Sequence, residues 1–264
     1  MSAALAGRHA VITGASRGIG AAIARALAAE GTRLSLLGRD AAALAQVAKD
    51  CAAGGAAGGG AAAHSIVADV SDAEAVERAM SEARARFGPV QVLVNNAGQA
   101  ASAKFVDTDP KLWNRIMAVN LTGTYLCTRA AVGDMLEGRW GRIVNIASTA
   151  GLRGGAYLSA YTSSKHAVVG LTRALALEYA TRGITVNAVC PGYVDTDIVK
   201  NAVANISRKT GRSADEALAT LLATNPQGRL VTSEEVAAAV LYLCRPGSES
   251  VTGQSLVLSG GEVT

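Results

Sequence analysis

The feature that most restricts what this chain can become is residues 13–20, Thr-Gly-Ala-Ser-Arg-Gly-Ile-Gly. They lie between the apolar run 9–13 and a stretch from Ile19 to Glu30 in which Ile23 and Leu27 share a helical face. Glycines at 14, 18 and 20 let the backbone turn from a strand into a helix. They also let a pyrophosphate approach the helix N-terminus, where free N–H groups and the dipole favour an anion. A bare glycine pattern is weak evidence, but a strand before it and a helix after it are the context the motif demands.

The remainder of the chain repeats that alternation. Strands are expected at 34–37, 65–68, 90–94, 142–147, 184–189 and 255–258, with helical patterns between them. Asp40 is placed to cap the helix running towards Cys51, Ser71 with Glu74 reads as a capping box, and Gly88-Pro89 stops the helix that follows. Residues 51–63, rich in glycine, predict a loop, and a long helical region surrounds Trp113 to Leu136. Strands alternating with helices argue for one α/β domain over 1–264, a doubly wound parallel sheet of about seven strands with helices on both faces. Residues 193–229 break the rhythm: polar and small residues precede a helical patch at 214–222 without an intervening strand, as in a substrate lid.

Composition narrows the function. Half the residues are hydrophobic, 29 are Gly and 17% are charged, which suits a sheet covered on both faces by Ala-rich helices. The net charge of +4 is spread along the chain and aromatics are 4%, so no basic stripe with stacking residues points to a nucleic acid. Cys51, Cys127, Cys190 and Cys244 lack metal-ligand spacing and sit in apolar surroundings, as buried free thiols would; no metal is expected. No run of 18 apolar residues and no signal-type segment stands out, so a cytoplasmic protein without a membrane partner is expected.

The chemistry concentrates in residues 148–165. Tyr161 and Lys165, four apart on a helix, share one face. A phenol titrates near ~10 unless a neighbouring cation stabilises its phenolate, and Lys165 is placed to do so. Ser148 ends the apolar run 142–147, so its hydroxyl is expected at a strand's C-terminal end, where open α/β sheets bind ligands.

Taken with Asn95-Asn96-Ala97-Gly98, Asn120 and Pro191-Gly192, these motifs resemble the short-chain dehydrogenase/reductase family, in the family's order and over nearly the whole chain. The resemblance implies a single Rossmann-like domain and an NAD(P)-dependent oxidoreductase acting on a carbonyl or secondary alcohol. Tyr161 would be the general acid/base, Ser148 would polarise the carbonyl oxygen, and Lys165 would hold the ribose and depress the Tyr161 pKa. Asn120 would link Lys165 to solvent through a water. The resemblance also places Gly14, Ser16, Arg17, Gly18, Ile19, Gly20, Ala97 and Gly98 at the cofactor, Asp69 and Val70 at adenine, and Pro191, Gly192, Val194 and Thr196 at the carboxamide. Asn96, within the same motif, is expected with Thr13 to tie strand four to the glycine turn.

Gly38-Arg39 stands where an acid would hold a ribose 2′-OH, and with Arg17 nearby this favours NADP(H) over NAD(H). Within the family the chain is similar to 3-oxoacyl thioester reductases, polyketide ketoreductases and 3-hydroxybutyrate dehydrogenases. A substrate end lined by Gln99, Ala150, Leu152, Tyr157, Leu158 and Tyr193, with Arg153 nearby, suits an acyl thioester with a phosphorylated arm. Arg153 as a plain solvated charge is the competing reading. NAD-dependent dehydrogenation of a 3-hydroxy acid and a non-catalytic NADP-binding protein remain the alternatives. Two helices, 113–136 and 159–181, match those that pair in related tetramers, so a homotetramer is expected.

Overall fold

The computed structural model describes residues 4–54 and 62–264. Seven strands form one parallel sheet in the order β3-β2-β1-β4-β5-β6-β7. They are β1 (His9–Thr13), β2 (Arg33–Gly38), β3 (Ala63–Val67), β4 (Val92–Asn95), β5 (Gly141–Ile146), β6 (Ile184–Pro191) and β7 (Ser255–Leu258). β1 and β7 have the expected limits; the others shift by one or two residues at an end. The order reverses between β1 and β4, and the C-terminal ends of those strands open a crevice there.

Helices α1 (Gly18–Ala29), α2 (Ala41–Ala53) and α9 (Ser233–Cys244) cover one face, their apolar sides packed with Ile12, Leu36 and Val94. Helices α3 (Ala73–Phe87), α5 (Gly123–Glu137) and α6 (Ser159–Tyr179) cover the other, around Val11, Leu93 and Ile143. Adjacent strand residues therefore feed opposite cores, which is why the strands read as continuous apolar runs. The four cysteines are buried and free. Among the described residues no helix is long and apolar enough to cross a membrane.

Four local expectations change. Asp72, rather than Ser71, caps α3: its carboxylate accepts from the N–H groups of Glu74 and Ala75. Ser71 instead donates to Asp69 Oδ1 at 2.6 Å, so the short polar side chain nearer the helix wins the cap. Of the loop expected at 51–63, residues 51–53 complete α2 and residue 63 opens β3, while 55–61 lie outside the described residues. The long helical region at 113–136 is α4 (Pro110–Met117) running into α5 through a π turn, Ala118–Thr122. Residues 193–210, read as polar and irregular, contain α7 (Asp197–Thr210); α8 spans Ala214–Leu222 as expected.

Candidate active site

The crevice is a cleft of about 1050 Å³ running from the glycine turn, past the ends of β4 and β5, to α7 and the C-terminal tail. At its first end the turn is locked by Thr13 and Asn96. The N–H groups of Asn96 and Ala97 each donate to Thr13 Oγ1 at 3.0 Å. Asn96 Nδ2 donates to the carbonyls of Thr13 and Gly14, also at 3.0 Å. Gly14 and Gly18 have φ of 64° and 52°, and a Cβ on Gly14 would lie 2.9 Å from Ala97 Cα. Gly20 does not face the cleft; a Cβ there would overlap Gly14 O and come within 2.6 Å of Asn96 Nδ2. Its role is to let helix and strand meet. Helix α1 has no side-chain cap and no acid in its first turn, so its N–H groups are free for an anion.

Ser16, Arg17, Gly18 and Ile19 line this end, with Arg39 and Asp69 opposite. Asp40 spends its carboxylate on the N–H of Ala43 at 3.0 Å as the cap of α2. The two arginines have exposed partners, Arg17 with Asp197 at 3.3 Å and Arg39 with Asp69 at 3.7 Å. The Ser71 hydroxyl, more than Arg39, holds the Asp69 carboxyl below its usual range. Val70, Ala97 and Gly98 line the middle of the cleft; Pro191, Gly192, Val194 and Thr196 line the wall formed after β6.

Ser148, Tyr161 and Lys165 converge beyond the end of β5. Ser148 caps a one-turn helix, Thr149–Gly151, its Oγ accepting from the Ala150 N–H at 3.1 Å. Tyr161 and Lys165 sit on the first two turns of α6, and Lys165 Nζ lies 5.8 Å from the Tyr161 ring centroid. Lys165 is buried, donates to Ile146 O at 2.7 Å, and is pushed down to about 8 by burial. The Tyr161 phenol is pushed above its ordinary value by burial, with the Ser148 hydroxyl acting the other way. Burial outweighs any lowering by Lys165, whose ammonium is directed at a strand carbonyl.

Asn120 lies in the π turn, buried behind the cleft instead of lining it. Its amide reads Gln99 twice, accepting from the N–H at 2.8 Å and donating to the carbonyl at 2.9 Å. It also donates to Ser164 Oγ at 3.0 Å. A Cβ on Gly98 would stand 3.5 Å from Asn120 Oδ1 and 3.6 Å from Lys165 Nζ, so the two polar atoms flank that glycine.

At the substrate end Gln99, Ala150, Arg153, Tyr157, Leu158 and Tyr193 line the cleft, but Leu152 does not. Leu152, half-buried, packs instead against the small cluster of Ala147, Val168, Val169, Ala188 and Cys190, where the turn after Ser148 directs it. Arg153 is not a free cation: it is ion-paired with Glu262, whose side chain is 3% exposed. Its charge is paired, while its side chain stays 44% exposed. Glu262, Lys200 and Leu221 are cleft residues that sequence reasoning missed. Among the described residues no cluster of three metal-ligating side chains occurs.

A parallel sheet with a glycine turn at its switch point, and a Ser, Tyr and Lys gathered at the next strand end, define a nucleotide-dependent α/β oxidoreductase. The short chain dehydrogenase family model matches residues 8–207, and the chain belongs to that family. It is 40% identical over 262 residues to D-beta-hydroxybutyrate dehydrogenase of Cupriavidus necator, covering 98% of this chain and 99% of the relative. It is 42% identical over 259 residues to galactitol 2-dehydrogenase (L-tagatose-forming) of Cereibacter sphaeroides, covering 97% and 95%. A crystal structure of a point variant of actinorhodin polyketide ketoreductase with NADPH superposes with a TM-score of 0.91 at 40% identity, covering 97% of each chain. Relatives named for a carboxylate, a polyol and a polyketide leave the substrate open.

Proposed function

We propose that the protein is an NADP(H)-dependent ketoreductase that reduces a 3-oxoacyl thioester or a related ketone, reversibly, in one domain with residues 193–229 as its lid. The observation that carries this is the convergence of Ser148, Tyr161 and Lys165 in the same cleft as the uncapped start of α1. The residues present fit the cofactor. Its pyrophosphate would meet the N–H groups at Gly18 and Ile19, its 2′-phosphate Arg39 and Arg17, its adenine Asp69 and Val70, and its ribose Lys165. Gly38 at the end of β2 presents no carboxylate to repel the 2′-phosphate.

When bound, the nicotinamide supplies a hydride to the carbonyl carbon. Tyr161 donates its proton to the carbonyl oxygen, and the Ser148 hydroxyl donates a hydrogen bond to the same oxygen as charge builds there. A phenol held above its ordinary pKa keeps its proton throughout the neutral range, which suits reduction; oxidation needs the phenolate and gains with rising pH. Asn120 holds the Gln99 backbone against this centre and sits beside Lys165, where a water can join the two.

The NADP(H) reading is supported by the NADPH-bound structural neighbour as well as by Arg39. A higher kcat/KM for NADPH than for NADH with a 3-oxoacyl thioester is the expected result, and the reverse order would favour the NAD-dependent hydroxy-acid dehydrogenase. Four buried thiols fit a reducing cytoplasm. The exposed Leu177 on α6 and Tyr125 on α5 favour a homotetramer built on those helices, for which light scattering should give four times the chain mass.

A further inference from the structure

The substrate end of the cleft contains a charge pair that no motif announces. Arg153, five residues after Ser148, donates to Glu262 Oε1, and Thr224 just after α8 donates to the same oxygen at 2.5 Å. Three segments therefore meet: the turn after β5, the end of the lid, and the tail after β7. The tail is held for this purpose. Gly260 and Gly261 have φ of 62° and 90°, and a Cβ on Gly260 would stand 3.0 Å from Asn225 Cγ, so the chain presses directly on the lid end. Gln227 N–H donates to Gly260 O at 3.3 Å, and Glu262 N–H to Ser259 O at 3.2 Å.

The pair also borders the reacting centre. A Cβ on Gly192 would lie 3.1 Å from Glu262 Oε2, and Glu262 lines the cleft with Ser148, Tyr161 and Tyr193. A carboxylate so nearly removed from water is tolerated because a guanidinium and a hydroxyl satisfy it. Its presence offsets the charge of Arg153 on this wall. Lys200, a further cation lining this end, is on the exposed side of α7, and Lys165 is engaged with Ile146 O.

Resting on the ketoreductase reading above, we propose that Glu262 is a specificity-determining residue that excludes free carboxylates: paired with Arg153, it makes the site select substrates uncharged near the reacting carbonyl. A carboxylate placed there meets an acceptor-only, negatively charged oxygen and a guanidinium already engaged. An ester, thioester or neutral ketone meets neither penalty.

The test compares acetoacetate with its ethyl ester, using NADPH and the full chain. Wild type should prefer the ester in kcat/KM. Glu262→Gln, which keeps shape and frees Arg153, should raise the acetoacetate-to-ester ratio at least about tenfold, mainly through the KM for acetoacetate. Adding Arg153→Met to Glu262→Gln should bring the ratio back, since a neutral pair offers the acid no anchor. An unchanged ratio in Glu262→Gln, a rise that survives in the double variant, or a wild-type preference for acetoacetate would each overturn the proposal. Turnover of neither compound by wild type would count against the ketoreductase reading instead. Calorimetric binding of 3-hydroxybutyrate and its methyl ester to the same three proteins, with NADP⁺ present, then decides the role of Glu262 by the same ratios.

Discussion

The two ends of the cleft are built on different physical terms. Helix α1 at the cofactor end buries seven of its twelve residues, and its approach to β1 depends on hydrogen atoms where any other residue has a Cβ. Helices α7 and α8 over the substrate end bury one residue each, Val199 and Ala217. Their limits are set by local devices: a capping box of Ser213 and Glu216, and Gly211 at φ 73° ending α7. The first end is rigid because it is packed. The second is positioned by caps and a charge pair, and such elements open at lower free energy than a core helix.

The same substitution should therefore have unequal consequences at the two ends. Gly20→Ala forces a methyl group into Gly14 O and Asn96 Nδ2, backbone and a twice-bonded amide that cannot yield cheaply. A loss of about 3 kcal/mol or more in denaturant unfolding is expected, together with loss of NADPH binding. An alanine there with wild-type stability would refute the picture of the turn.

Between the two ends lies Lys165, and here stability and function oppose one another. Its pKa falls from 10.5 in the unfolded chain to about 8 in the fold. Between those values the unfolded chain binds more protons, so stability rises with pH through that window and the full penalty applies below about 8. Lys165→Met relieves about 3 kcal/mol of it, less about 1 for the lost bond to Ile146 O. The variant should be more stable than wild type by about 2 kcal/mol at pH 7, with the difference shrinking by pH 10. A pH-independent difference would contradict the burial argument.

Gly211→Ala at the lid should be mild. The position has φ 73° but nothing within 4 Å of a Cβ, so only the left-handed backbone opposes the methyl group, at about 1 kcal/mol. Hydrogen exchange should sharpen the contrast without any mutation: amides of α7 and α8 should exchange well before those of α1, and equal protection would remove the distinction.

The same contrast governs what could be read from the sequence. The sheet, its order of elements, the glycine turn and the Ser148, Tyr161 and Lys165 set were legible because each has a local signature: apolar runs, turn glycines, a four-residue spacing. Asp40 as a cap was legible for the same reason. Helix α7 was less legible: Val199, Ala202, Val203 and Ile206 recur at helical spacing, but only Val199 is fully buried and the polar residues between them dilute the pattern. Leu152 looked like a lining residue, but the turn after Ser148 sets it, half-buried, against a small apolar cluster. Glu262 is 109 positions from Arg153, and only the folded tail brings them together. The direction of the Tyr161 shift is set by burial of its phenol, a matter of tertiary packing that a four-residue spacing does not contain.

Tyr161→Phe tests the central claim most directly, since it removes the proton donor and keeps the ring. Measured as NADPH oxidation with a 3-oxoacyl thioester or another ketone that wild type reduces, kcat should fall at least about 10²-fold while NADPH affinity stays within about threefold. A variant that keeps more than about a tenth of wild-type kcat would contradict the assignment of Tyr161 as the acid.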